Sequence, residues 1–98
     1  MAVRLVISMQ AKPGKGAELL KAMEGRCQEV RKEPGCEQFE AFQSGADPDR
    51  LVLLELWVDQ AALDVHASRP PNPAMAAMSE MRAEGVMPRE DYEYNRTR

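Results

Sequence analysis

The sequence predicts an α+β fold of two layers, an antiparallel sheet with its helices on one face. Three features predict it: a period of two over residues 3–11, 36–44 and 50–58, a helical period between those stretches, and proline and glycine at the joints. In the first stretch Val3, Leu5, Ile7 and Met9 alternate with Arg4, Val6, Ser8 and Gln10, as a strand with one core face requires. Lys12-Pro13-Gly14-Lys15-Gly16 breaks it. Leu19, Leu20, Met23, Cys27 and Val30 then recur at helical spacing, with Glu18, Lys21, Arg26 and Lys32 read as the opposite, solvated side. Glu33-Pro34-Gly35 ends this helix, since proline disfavours helical geometry before it and glycine accepts the positive φ of a helix exit.

The second strand, from Cys36 to Ser44, places Phe39 and Ala41 on one side and Phe42 on the other, and the loop Gly45-Ala46-Asp47-Pro48-Asp49 leads into the third. From Arg50 to Val58 both faces are apolar: Leu51, Leu53, Glu55 and Trp57 on one, Val52, Leu54, Leu56 and Val58 on the other. Asp59 is placed to cap a second helix whose inward side holds Ala62, Leu63, His66 and Ala67, and Pro70-Pro71-Asn72-Pro73 ends it. A third helix is expected over residues 74–84, presenting Met75, Met78 and Met81 and closed by Gly85. A last strand around Tyr92 and Tyr94 completes the sheet. This order is the ferredoxin-like split βαβ arrangement within one domain over residues 1–98. The helices cover one face only, so the row Val52, Leu54, Leu56, Val58 is expected to join a second copy as a homodimer.

Of the 98 residues, 44% are hydrophobic and 30% charged, the balance of an ordinary globular protein. The longest apolar run, Leu51 to Leu54, is too short to span a bilayer. A net charge of -3 with scattered basic residues gives no stripe for a phosphate backbone, so neither nucleic acid nor membrane is expected as a partner. The N-terminus has no export signal pattern, a cytoplasmic location is expected, and Cys27 and Cys36 are read as reduced thiols. Gly14-Lys15-Gly16 lacks the glycine spacing and Lys-Ser/Thr pair of a phosphate loop, and one histidine with two distant cysteines makes a poor metal set.

Four segments occur in the order known from one family: the opening strand with Lys12-Pro13-Gly14-Lys15, the joint Glu33-Pro34-Gly35-Cys36, the strand end Glu55-Leu56-Trp57, and the helix from Gln60 to His66. Together they resemble the antibiotic biosynthesis monooxygenases, quinol monooxygenases among them, over nearly the whole chain. The resemblance implies a dimeric α+β barrel without a cofactor, acting with O2 on a quinol or polycyclic aromatic substrate that reacts once deprotonated. Members often carry a second histidine shortly after the position of His66, where this chain reads Ala67-Ser68-Arg69-Pro70-Pro71.

The residues expected to carry such chemistry are His66 and Trp57. Histidine is the side chain whose ordinary pKa lies near neutrality, so His66 is the candidate base, and Trp57 offers an aromatic wall. Glu55, Phe39, Leu63, Met75, Met78 and Met81 are the expected pocket. The plain alternatives are that His66 is a hydrogen-bonded structural residue, that Trp57 and the methionines are core, and that Glu55 bonds a backbone amide or an arginine. Two other functions fit the same frame. One is a non-catalytic small-molecule-binding or stress-related dimeric barrel. The other is a haem-degrading oxygenase, whose family members add a strand-one asparagine where this chain has Ser8, Met9 and Gln10.

Overall fold

The structure, a computed structural model, describes residues 1–85 and 87–94. Among them the elements run β1 (Ala2–Gln10), α1 (Gly16–Val30), β2 (Cys36–Gln43), β3 (Arg50–Trp57), α2 (Gln60–Ala67), α3 (Ala74–Met81) and β4 (Arg89–Tyr94). The strands form one antiparallel sheet in the order β2-β3-β1-β4, the split βαβ topology that the element order predicts. Alternation sets the register: Val3 lies opposite Trp57, Leu5 opposite Glu55 and Ile7 opposite Leu53, so the inward rows of β1 and β3 coincide. Leu19, Met23, Cys27 and Val30 of α1, Leu63 of α2 and Met78 of α3 close over these rows as one buried core. No helix among the described residues is long and apolar enough to cross a membrane.

Local chemistry explains the joints. The Asp59 side chain accepts the Ala62 amide at 2.8 Å and so caps α2, as its position before the helix suggests. Gly35 takes φ +80, and a Cβ there would lie 2.6 Å from that of Ala62, so this turn needs glycine both for its backbone and for its contact with α2. Before α1, the Asp49 carboxylate accepts the amides of Gly14 at 3.0 Å and Gly16 at 2.9 Å. The amides that a phosphate loop would offer are thus taken by the protein's own carboxylate.

Two expectations need correction. The third helix ends at Met81, not Glu84, because the strand edge beyond β1 competes for the backbone. Lys12 donates to the Met81 carbonyl and Ala83 to that of Gln10, both at 2.8 Å, and Arg82 is extended in a bridge with Ala11. Arg26 does not belong to the solvated side of α1. It is half-buried, three residues after Met23 and four before Val30, which places it on the inward stripe.

The other face of the sheet carries no helix. Along its middle run Val52, Leu54 and Leu56, all half-buried, with Val6 beside Leu54. Val58, Phe42 and Tyr92, which lies opposite Arg4, are more open, 47%, 42% and 49% exposed. Arg4 and Gln38 flank Leu56 from β1 and β2, and the Arg4 guanidinium donates to the Gln38 side-chain carbonyl across it. Glu40 and Glu90 extend the polar margin beside Leu54 and Val6.

Candidate functional site

The site is built from the floor upward. Leu5, Glu55 and Phe39 lie side by side across β1, β3 and β2, and Trp57 follows Glu55 by two residues, on the same face. Glu55 is 4% exposed, a cost for a carboxylate unless its oxygens are bonded. The Trp57 indole N–H donates to Glu55 Oε1 at 2.9 Å, so the partner is a ring two residues away rather than a backbone amide or an arginine. Burial pushes the Glu55 carboxyl above its ordinary range, and the bond from Trp57 with the charges of His66, Arg89 and Arg26 pulls the other way.

Above the floor stands His66, in the last turn of α2. Its Nδ1 lies 2.9 Å from Glu33 Oε1, and Arg69 Nε forms an ion pair with that same oxygen at 2.9 Å. A carboxylate oxygen accepts, so Nδ1 is the nitrogen that carries a hydrogen toward Glu33, and in the neutral ring the lone pair is on Nε2. The imidazole is further held between two aromatic rings. Trp57 lies 4.7 Å away at 30°, and Phe39 presents an edge contact at 5.6 Å. His66 is thereby fixed in orientation, a constraint a freely turning surface histidine lacks.

Two spaces adjoin at His66. One is a cleft of about 430 Å³ whose lining includes Leu5, Glu55, Leu63, Pro70 and Arg89. The other is a mostly apolar cavity of about 190 Å³, lined among others by Met9, Met23, Phe39, Leu53 and Met78. Arg26, His66 and Met75 belong to both linings, so they stand where the two spaces meet.

Of the residues expected from the sequence, His66, Glu55, Leu63 and Met75 line the cleft, and Phe39 and Met78 line the cavity with His66 and Met75. Trp57 is fully buried behind His66 and is in neither lining, and Met81 packs against the core outside both. Glu33, Arg69, Arg26 and Arg89 were not expected here. Only Arg26 had left a signal, its spacing on α1. Among the described residues no group of three or more His, Cys, Asp or Glu is placed to hold a metal ion. Cys27 lies on the buried face of α1, where desolvation pushes its thiol up to about 11, so it is an inert core thiol.

Known proteins place this architecture. YcnE of Bacillus subtilis (strain 168), whose name assigns it provisionally to the monooxygenases, is 33% identical over 58 residues, which is 59% of this chain. The chain matches only 61% of that protein's length. A conserved protein from Methanosarcina mazei Go1 superposes with a TM-score of 0.80 at 26% identity, covering 97% of this chain and 94% of its own. A single-residue mutant of SnoaB, a cofactor-independent oxygenase from Streptomyces nogalater, shares the fold with a TM-score of 0.81 at 15% identity, over 98% of this chain and 95% of its own. The sequence model described as antibiotic biosynthesis monooxygenase matches residues 2–78, which is most of the chain. The protein therefore belongs to the antibiotic biosynthesis monooxygenase family.

Proposed function

We propose that the chain is a cofactor-independent monooxygenase that binds a quinol or polycyclic aromatic substrate beside His66 and lets O2 react with the substrate once it is deprotonated. The observation that carries this reading is the fixed imidazole at the meeting point of an open cleft and an apolar cavity. A ring held in the cavity would present a hydroxyl or activated carbon to Nε2. His66 takes its proton, and Glu33 stabilises the imidazolium that forms. The electron-rich anion supplies the electrons, one oxygen atom enters the ring, and the other leaves as water. Trp57 acts from behind by fixing the imidazole plane and holding Glu55. Methionines and Phe39 exclude water and fit a flat ring. Family membership and the name of YcnE support the reaction type.

The test is oxygen uptake after anaerobic loading with naphthalene-1,4-diol. The protein should accelerate uptake over buffer, and His66→Ala should remove about 10²–10⁴-fold of that rate. An unaltered rate in His66→Ala would remove the histidine as base. No acceleration by the unsubstituted protein, with binding retained, would favour the non-catalytic binding barrel.

The working unit in this proposal is a homodimer formed through the open sheet face. The apolar row Val52, Leu54, Leu56 with the partly open Val58, bordered by Arg4, Gln38, Glu40 and Glu90, has the apolar centre and polar rim of a protein interface. A second copy turned by a two-fold axis lays the same row against itself and closes the barrel. An obligate contact of this kind buries on the order of 2,000 Å².

A further inference from the structure

The apolar cavity has an unbalanced lining. Around Met9, Met23, Phe39, Leu53, Met75 and Met78 stand two guanidinium groups, Arg26 and Arg82, together with His66, and among the described residues no carboxylate lines it. The neighbouring cations are already engaged: Arg69 with Glu33 at 2.9 Å, and Arg89 with Asp91 at 3.2 Å. Among the described residues Arg26 makes no hydrogen bond or ion pair, and its charge acts on the Glu55 carboxylate only from beyond ion-pair distance. The nearby Glu55 carboxylate gives its Oε1 to the Trp57 indole. Among the described residues the Arg82 side chain bonds only the soft sulfur of Met87, through Nη1, and its Nε is buried without a partner.

Arginine stays charged in any such setting, and a guanidinium taken from water without an oxygen acceptor is costly. Two of them in the wall of an apolar cavity leave a place for negative charge that no carboxylate among the described residues fills. Their planar forks suit a carboxylate, which can accept two N–H bonds from one arginine. We infer that the substrate is an aromatic acid, a hydroxylated ring bearing a carboxylate that Arg26 and Arg82 receive while the ring fills the methionine-lined cavity. The inference rests on the reading of this cavity as the substrate site and adds a substrate class to it. It also gives the site a direction, since a ring anchored by its carboxylate near Arg26 presents one edge to His66.

The test is calorimetric binding of two stable probes, 1-hydroxy-2-naphthoate and the neutral 1-naphthol, to the full chain in moderate salt without turnover. The naphthoate is expected to bind about 10–100-fold more tightly. The double substitution Arg26→Gln, Arg82→Gln should bring that ratio close to one, by weakening the naphthoate far more than 1-naphthol. Arg26→Lys and Arg82→Lys, which keep the charge and disturb packing least, should retain part of the preference. Equal affinities in the unsubstituted protein, a preference undiminished in the double variant, or no binding of either probe up to about 1 mM would each overturn the inference. The outcome is separable from the oxygenase proposal. A carboxylate preference without oxygen uptake leaves this site standing and removes the oxygenase, and oxygen uptake with equal affinities does the reverse.

Discussion

Strand β3 has two apolar rows, and the molecule uses them differently. The inward row, Leu51, Leu53, Glu55 and Trp57, is buried throughout, none of the four more than 5% exposed. It accommodates one carboxylate, to which the indole beside it supplies a hydrogen bond. The outward row, Val52, Leu54 and Leu56, is chemically plainer yet only half-buried, with Arg4 and Gln38 joined over one end. The difference teaches that the strand's apolar character has two sources. One row is apolar because the helices need a floor, and it gives up that character at one position, where Glu55 meets the site. The other is apolar with no helix above it among the described residues, as the proposed second copy of the chain would require.

The two faces should therefore fail separately. Leu54→Glu carries the largest expected effect, because a two-fold contact sets two carboxylates into the apolar centre at once. With about 2 kcal/mol or more for each buried charge, dimerisation should weaken by roughly a thousandfold. Sedimentation velocity at low micromolar concentration would show monomers, and the inward core should still give a cooperative melt. A stable monomer before substitution would sink the homodimer altogether.

The next test leaves the outer face alone. Glu33→Gln keeps a carbonyl that can accept from His66 Nδ1, but removes the charge that steadies the imidazolium and frees Arg69 from its ion pair. The rate of oxygen uptake should fall about 10–100-fold at saturating substrate, with KM little changed, because Glu33 touches His66, the proposed base, and is not in the cavity lining. A change confined to KM would make Glu33 a structural support of the cleft wall instead.

These residues also mark where sequence reading reaches and where it stops. Glu55, Trp57 and His66 were legible because each sits in a periodic element, and periodicity says which way a side chain points. Asp59 as a cap and Gly35 as a positive-φ exit were legible from local chemistry. Glu33 was not. It lies between helix and strand, in a segment whose Pro34 and Gly35 already account for the turn, and 33 residues separate it from His66. No local rule connects the two, and they meet only because Gly35 packs against Ala62 at the start of α2. Arg26 was legible but misread: its charge suggested solvent, although its spacing from Met23 and Val30 placed it inward. The end of α3 was decided by backbone pairing with Gln10 and Lys12, a long-range competition that helical periodicity does not register.

The smallest expected effect tests the exception within the inward row. Glu55 has its carboxyl raised, first by burial, against the pull of Trp57, His66, Arg89 and Arg26. For a group raised in the folded state the sign is fixed. Stability is fully present below the unfolded value near 4.5, where both states hold the proton, and is lost as pH rises through the higher folded value and charge is forced into the site. Glu55→Gln keeps a carbonyl for the indole N–H and never carries that charge. The variant and the unsubstituted protein should melt together at about pH 4, and the variant should melt a few degrees higher at about pH 8. If the unsubstituted protein melts higher at pH 8, the charged carboxylate is being stabilised by Arg26 and Arg89. Arg26 would then be serving as its counter-ion rather than waiting for a ligand.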